Sequence, residues 1–354
     1  MPSIGELRRR TLESLSRPSY SLASEKMLLL NDNANLFGAN PAAMEAAESF
    51  DFSRLWAYPS ENSDALRQRL ASEFGASPTE IIVGNGSDEL LDIVCKSFVN
   101  PGDVFCQPAP TFSMYKFYAQ ANFASIDEKL LNDDFSLRTD DMLMARAKLI
   151  ALCQPNNPTA NLLEPRDVRR ILSESEGITI LDEAYSDFCD SDMLADVMAS
   201  ERGIDIRTFS KAYGIAGLRA GFAISREEII DELRRVRTPF GLNSFTEAVA
   251  IAALDNKAWV RDKVQEMKVE REHMSKQMRS LGFRVYPSEC NFLLCGSPVR
   301  SDELVEALRE RGVAIRDCGT FPLLEDHVRV TVGPRAFVDG FLEILGPLVD
   351  GVST

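Results

Sequence analysis

Short apolar runs alternate along this chain with longer stretches whose apolar residues recur at three- and four-residue spacing. Ile81-Ile82-Val83 is one such run, and an apolar helical stretch over 89–99 follows it. The same alternation predicts strands at 104–107, 124–126, 148–153, 178–181, 206–209 and 219–224. Between them it predicts helices over 111–120, 139–147, 165–175 and 226–236. Short apolar strands separated by helices imply a largely parallel sheet covered on both faces. Upstream, Ile4, Leu7, Leu12 and Leu15 fall at near-helical spacing over 3–16, and 27–30 is a short strand. Asn40-Pro41 starts a helix, and residues 62–74 form another, closed by Gly75. From about Pro239 the character changes. A charged helical stretch over 256–281 leads into strands at 284–286 and 291–295, a helix over 301–311, strands at 313–316 and 328–332, and a last helix over 334–348. The pattern predicts an α/β protein with a large domain over 36–240 and a smaller α/β domain over 241–354. Residues 1–35 form an arm that belongs with the smaller part.

In such sheets ligands sit at the carboxyl ends of the strands, so the polar residues found there matter most. Asn157 follows the 148–153 strand, Asp182 and Tyr185 follow 178–181, and Ser210 and Lys211 follow 206–209. Ahead of them, Gly84-Asn85-Gly86-Ser87-Asp88 joins a strand to a helix, a geometry that offers backbone N–H groups and a positive helix end to a phosphate. A lysine at a strand end, beside phosphate-binding residue types and with Arg219 eight positions on, suits a covalently tethered phosphorylated aldehyde. That describes pyridoxal phosphate (PLP). Asp182 would face the pyridine nitrogen, Asn157 and Tyr185 the phenolic oxygen, and Ser87, Asp88, Ser210 and Arg219 the phosphate. Phe112, at a strand-to-helix junction, would cover the ring. Each has a plainer alternative: a surface lysine, a capping aspartate, a turn asparagine, a core phenylalanine.

Composition narrows the classes. The 354 residues carry a formal net charge of −15, which argues against nucleic acid as partner. No apolar run is long enough to span a membrane, and the arginines at 8–10 are not followed by the apolar segment of a signal peptide. Seven scattered cysteines read as small hydrophobes in a reducing compartment, so a cytoplasmic location is expected. The two histidines, His273 and His327, stand in no metal-ligand spacing, so no metal is expected.

Taken in order, the motifs resemble those of the class I/II aminotransferases, PLP enzymes of fold type I, and within them the histidinol-phosphate aminotransferases. They are 31–38 (Asn-Asp-Asn-Ala-Asn-Leu-Phe-Gly), Tyr58-Pro59, Gly86-Ser87-Asp88-Glu89, Pro110-Thr111-Phe112 and Pro155-Asn156-Asn157-Pro158-Thr159. Asp182-Glu183-Ala184-Tyr185, Arg207-Thr208-Phe209-Ser210-Lys211-Ala212, Gly217-Leu218-Arg219 and 328–333 complete the set. The resemblance implies a mostly parallel seven-stranded sheet in the large domain. It makes Lys211 the Schiff-base lysine and proton carrier, with Asp182 and Tyr185 beside it. It implies a homodimer in which Tyr58 reaches the partner's cofactor phosphate. Arg329 would bind a substrate carboxylate or, with Arg316 and Tyr20, the phosphate of histidinol phosphate, and Asn33 would be a further substrate-binding residue. The exchanging pair would be 2-oxoglutarate and glutamate, in a ping-pong reaction. Three sites depart from the family: Asn31-Asp32-Asn33-Ala34 stands where Asn-Glu-Asn-Pro is usual, Ala160 where glycine follows Asn-Pro-Thr, and Phe112 where tyrosine often stacks. Ile315-Arg316-Asp317-Cys318 with Phe321 also resembles threonine-phosphate decarboxylases. A decarboxylase, or an aminotransferase for aromatic or other amino acids, is the alternative. A non-catalytic PLP-binding regulator fits poorly, because such regulators carry a basic DNA-binding domain and this chain is acidic.

Overall fold

The computed structural model describes residues 7–9, 15 and 27–349; Tyr20 and most of the helix expected over 3–16 lie outside them. The elements run β1 (Leu28–Leu29), α1 (Pro41–Glu48), α2 (Asp64–Phe74), β2 (Ile81–Gly84), α3 (Gly86–Phe98), β3 (Val104–Ala109), α4 (Met114–Ala121) and β4 (Ser125–Leu130). There follow α5 (Thr139–Met144), β5 (Leu149–Cys153), α6 (Pro165–Glu174), β6 (Ile178–Asp182), α7 (Leu194–Ala199), β7 (Gly203–Thr208), β8 (Gly221–Ser225) and α8 (Glu227–Val236). The chain closes with α9 (Ser244–Asp255), α10 (Lys257–Ser280), β9 (Arg284–Val285), β10 (Phe292–Gly296), α11 (Ser301–Glu310), β11 (Val313–Ala314), β12 (Arg316–Asp317), β13 (His327–Thr331) and α12 (Arg335–Val349).

One seven-stranded sheet has the order β2-β8-β7-β6-β5-β3-β4. Strands β3 to β7 are parallel, and β8 runs against both β7 and β2. The reversal follows from chain length. Only residues 209–220 separate β7 from β8, and they contain a single tight helical turn, Ala216–Leu218, too little for a crossover helix. Strands β5, β6 and β7 are buried along their whole length, as a sheet with helices on both faces demands. Their carboxyl ends lie at one edge, and the candidate residues hang from it.

The C-terminal part is built on an antiparallel sheet, β12-β13-β10-β9. Strand β1 pairs in parallel with β11, which ties the start of the described chain to that part. From there residues 31–38 cross to the large sheet's edge. Asn33 N–H bonds Thr331 Oγ1 at 3.1 Å, and Asn35 Nδ2 donates to the carbonyl of Ala212, next to Lys211, at 2.9 Å. Asn40 caps α1 by accepting from Ala42 N–H at 3.1 Å. Among the described residues no helix is long and apolar enough to cross a membrane. Six of the cysteines are buried and Cys189 is half-buried.

Several boundaries differ from expectation, each for a physical reason. Helix α3 begins at Gly86 rather than 89, because Gly86, at φ +81°, turns the chain directly out of β2. Helix α4 begins at Met114 rather than 111: β3 ends at Ala109, the chain bends at Pro110 and Thr111, and the Thr111 hydroxyl is tied to Asn156 Oδ1 at 2.7 Å. The strand expected over 313–316 is two, β11 and β12, which pair with different sheets. Arg219 lies not in a strand but in the left-handed region, φ +53°, ahead of β8.

Candidate active site

Asp182 closes β6 and is almost wholly buried, level in the sheet with Cys153 at the end of β5. Its Oδ1 accepts from Ala184 N–H at 3.0 Å and its Oδ2 from the Tyr115 hydroxyl at 2.6 Å. Burial pushes the Asp182 carboxyl up to about 6, and these two hydrogen bonds pull the other way. Three residues on, Tyr185 is buried, and its hydroxyl accepts from Asn33 Nδ2 at 2.9 Å. Burial pushes this phenol well above its usual range, against the pull of the Arg329 charge.

Lys211, three residues past β7's last paired position, Thr208, is half-buried. Its ammonium donates to the Asp32 carbonyl at 3.1 Å and lies 5.7 Å from the centre of the Tyr185 ring. Burial brings its pKa down to about 8, with the positive charge of Arg329 as second cause; Asp32 and Asp88 act in the opposite direction. An amine so placed is neutral in a useful fraction near neutral pH and can act as nucleophile or base.

Beside it lies a polar concavity. At the start of α3, Asn85 gives no side-chain cap, so the first-turn N–H groups are not covered from that side. Arg219 reaches back across it, donating from Nη2 to Asp88 Oδ2 at 2.9 Å and from Nη1 to Ser210 Oγ at 3.3 Å. A Cβ on Gly86 would come within 2.6 Å of Arg219 Nη2, and one on Gly221 within 2.5 Å of Ser87 N. Two glycines are required for the helix start, the guanidinium and β8 to approach this closely. Helix N–H groups, hydroxyls and an arginine fork are the donor set a phosphate needs.

On the far side of Lys211, Arg316 and Arg329 face each other directly across β12 and β13. Opposed residues of an antiparallel pair project from the same face, and like charges there repel unless an anion meets them. Arg329 donates from Nη1 to Asn157 Oδ1 and from Nη2 to the Asn31 carbonyl, both at 2.6 Å, while its buried Nε has no partner. The Asn157 carbonyl oxygen is thus committed to Arg329, and its amide NH2 is the group that could serve a ligand oxygen. Phe112 is half-buried and sets its ring edge-on against Tyr115 at 5.4 Å. Tyr58 stands apart from this cluster, 82% exposed and stacked on Phe240 at 4.9 Å. A surface depression of about 760 Å³, bordered by residues 132–141 and 164–170, gathers none of these side chains.

The structure therefore brings together Ser87, Asp88, Asn157, Asp182, Tyr185, Ser210, Lys211, Arg219, Asn33, Arg316 and Arg329, with Phe112 at the margin. Tyr115 escaped the sequence reading. Its position three after Phe112 reads as a core-facing helical residue, and nothing local signals that its hydroxyl meets a carboxylate 67 positions away.

A buried carboxylate at one end, a depressed lysine in the middle and a phosphate cradle alongside fit a phosphorylated pyridine aldehyde. The fold and the site together define a PLP-dependent transferase of fold type I. The chain belongs to the class I and II aminotransferase family, whose sequence model matches residues 25–345. It is similar to a histidinol-phosphate aminotransferase of Thermoanaerobacter pseudethanolicus, 35% identical over 280 residues, covering 78% of this chain and 79% of that protein. It is also similar to histidinol-phosphate aminotransferase 1 of Archaeoglobus fulgidus, 35% identical over 323 residues, covering 90% of this chain and 98% of that one. The crystal structure of histidinol-phosphate aminotransferase from Sinorhizobium meliloti in complex with pyridoxal-5'-phosphate superposes with a TM-score of 0.90 at 23% identity, over 97% of this chain and 98% of the other.

Proposed function

We propose that this chain transfers the amino group of histidinol phosphate to 2-oxoglutarate, yielding imidazole acetol phosphate and glutamate, with PLP as its cofactor. The observation that carries this choice is the pair of opposed arginines, Arg316 and Arg329, next to Lys211. Bound in the cradle, PLP supplies an electron-poor ring that accepts the electrons left when a substrate carbon loses its proton. The chain's own groups do the rest. Asp182 holds a negative charge at the buried end, where it would keep the ring nitrogen protonated. Ser87, Asp88, Ser210 and Arg219 would hold the phosphate end. Tyr185, held by Asn33, and the Asn157 amide would serve the phenolic oxygen, and Phe112 would cover the ring. Lys211, neutral in part near pH 8, holds and returns the proton at the substrate carbon.

A guanidinium fork suits a carboxylate and a phosphate alike. Arg329 can therefore serve glutamate and a phosphorylated amine in turn, which is a chemical reason for two half-reactions at one site. Arg316 adds charge for the dianionic phosphate, and Tyr20 belongs to the same proposed pocket. The active unit is proposed to be a homodimer in which the exposed Tyr58 serves the partner's site. The large part, 36–240, and the smaller part, 241–354 with the N-terminal segment, are proposed as its two domains, and the cytoplasm as its location.

The test is spectroscopic. Purified protein with PLP is mixed with glutamate, then with histidinol phosphate, phenylalanine or threonine phosphate as sole donor. Glutamate and histidinol phosphate are expected to convert the visible band of the aldehyde form to the near-ultraviolet band of the amine form. No change with either, together with release of carbon dioxide from threonine phosphate, overturns the proposal in favour of a decarboxylase.

A further inference from the structure

We propose that Tyr115 is a positioning residue for the reaction: its hydroxyl keeps Asp182 an oriented carboxylate, so that Asp182 can hold a proton on the nitrogen of a pyridine cofactor. The inference rests on the PLP site proposed above and goes beyond it to a residue that never touches the cofactor's reacting atoms.

The geometry is specific. Tyr115 is on the first turn of α4 and its side chain is among the largest fully buried ones in the chain. It packs in the apolar layer formed by Ile82, Leu90, Leu91, Phe105, Cys153 and Ile180. A phenol in such a layer must find a partner, because an unmet buried hydroxyl is costly. The partner is Asp182 Oδ2 at 2.6 Å, a length expected for a hydroxyl bonded to an ionised carboxylate. With Ala184 N–H on Oδ1, each carboxylate oxygen carries one donor, so the plane of the group is set from both sides. Burial and the nearby negative charges of Asp88 and Asp205 favour protonation of Asp182. The Tyr115 and Ala184 donors are the groups that act against it. The phenol is itself held neutral, since burial and the adjacent Asp182 both raise its pKa well above the ordinary value. It is thus a fixed donor and not a competing acid.

The order of effects gives the consequence. Without the Tyr115 donor, Asp182 becomes a stronger base in a dry pocket. A proton shared between Asp182 and a pyridine nitrogen then moves toward the carboxylate. The charge pair that retains the cofactor weakens, and the ring loses its pull on electrons. Edge-on contact between Tyr115 and Phe112 gives the phenol a second reason to be in place, and phenylalanine at 115 preserves that contact.

The experiment compares wild type, Y115F, D182N and Y115F/D182N as purified holoenzymes. Melting curves check the fold, the visible band is titrated with pH, and the dissociation constant for PLP is measured by dilution and fluorescence. Y115F is expected to melt near wild type, to move the pH midpoint of the band upward, and to weaken PLP binding about tenfold or more, the weight of one hydrogen bond to a charged group. In the D182N background the Y115F change is expected to have no further effect on the midpoint or on binding. A packing role would instead add equally in both backgrounds, so the comparison stays decisive even if Y115F loosens the fold. Y115F with unchanged midpoint and binding, or with equal effects in both backgrounds, overturns the proposal for Tyr115 alone. A wild-type protein that binds no PLP overturns the site assignment, and Tyr115's role with it.

Discussion

Replacing Arg329 with lysine separates charge from shape at the substrate side of the site. The positive charge stays, but the planar fork is lost. Arg329 has three nitrogens to account for: Nη1 and Nη2 hold Asn157 and the Asn31 carbonyl, and Nε is buried without a partner. A substrate anion completes the set. A lysine offers one point charge in place of at least one charge-assisted bond, worth about 1.5–3 kcal/mol, with the lower end applying at this half-buried position. That corresponds to a KM increase of roughly 10- to 30-fold, taking 1.4 kcal/mol per tenfold. Both half-reactions use Arg329, so the rise is expected for glutamate and for histidinol phosphate. Arg316, directly opposite, contributes to the phosphate only, so R316Q is expected to raise KM for histidinol phosphate at least tenfold and to leave glutamate within about threefold. Single-turnover kinetics of each half-reaction, with melting curves as control, measure both effects. The reasoning is refuted if R329K leaves glutamate binding unchanged, or if R316Q and R329K affect the two donors alike.

The same arginine makes a second, pH-dependent prediction. A positive charge next to an ammonium disfavours its protonation, so Arg329→Gln is expected to move the Lys211 pKa upward from about 8. The pH profile for incorporation of PLP into the apoprotein rises as Lys211 loses its proton, and it should shift to higher pH in that variant; no shift contradicts the electrostatic account. Lys211→Ala should leave the fold intact and abolish turnover, and retained activity removes Lys211 from the mechanism. If Tyr58 serves the partner's site, mixing inactive K211A with weakened Y58A should regain activity, because each mixed dimer holds one site with both residues. Absence of recovery, with mixed dimers verified by mass spectrometry, places Tyr58 elsewhere. Ala160 is buried at φ +65°, a conformation that suits glycine. There A160G relieves about 1–2 kcal/mol of left-handed strain but loses roughly 0.8 kcal/mol of methyl burial and about 0.5–1 kcal/mol in chain entropy. It should be near neutral by denaturant unfolding, whereas A160V should cost more than about 2 kcal/mol, since a branched side chain fits neither the φ nor the packing.

The alternation of strands and helices was legible because β5 and most of β6 are apolar runs, and the strand-end residues followed from it; β7 was read only from Ile206 on, since its buried Asp205 and Arg207, bonded to each other, interrupt the apolar pattern. Lys211, Asp182, Asn157 and the Gly84–Asp88 loop were therefore readable together. What the chain's order hid was lateral. Helix α9, Ser244–Asp255, lacks a polar face over much of its length, so no amphipathic period marked it. The split of 313–316 depends on pairing partners far away, Leu28 and Leu29 for β11 and Arg329 and Val328 for β12. That Arg316 and Arg329 face one another is a fact of register between those strands. Tyr115 was hidden for the same reason, since its spacing signals burial and only the fold supplies the carboxylate.

These lateral facts are what give the site its direction. Net charge says little here, because a chain at −15 still builds a cationic pocket from Arg219, Lys211, Arg316 and Arg329. Within it, sign is separated by distance from water. The carboxylate Asp182 is the deeper group, and the arginines lie toward the more open, half-buried side. Lys211 sits near enough to Arg329 to be drawn toward its neutral form, while Asp182 is held as an anion against its own burial by two donors. Exchanging those positions would leave the composition unchanged and defeat the chemistry, since an arginine at the buried end repels a ring proton and a carboxylate beside Lys211 keeps the amine charged. A reversed-charge variant such as Asp182→Lys should therefore fail to retain PLP even though it keeps the phosphate cradle, whereas loss of Arg329 should spare cofactor retention and damage substrate binding. Equal loss of PLP in both variants would mean that the two ends of the site are not electrically distinct.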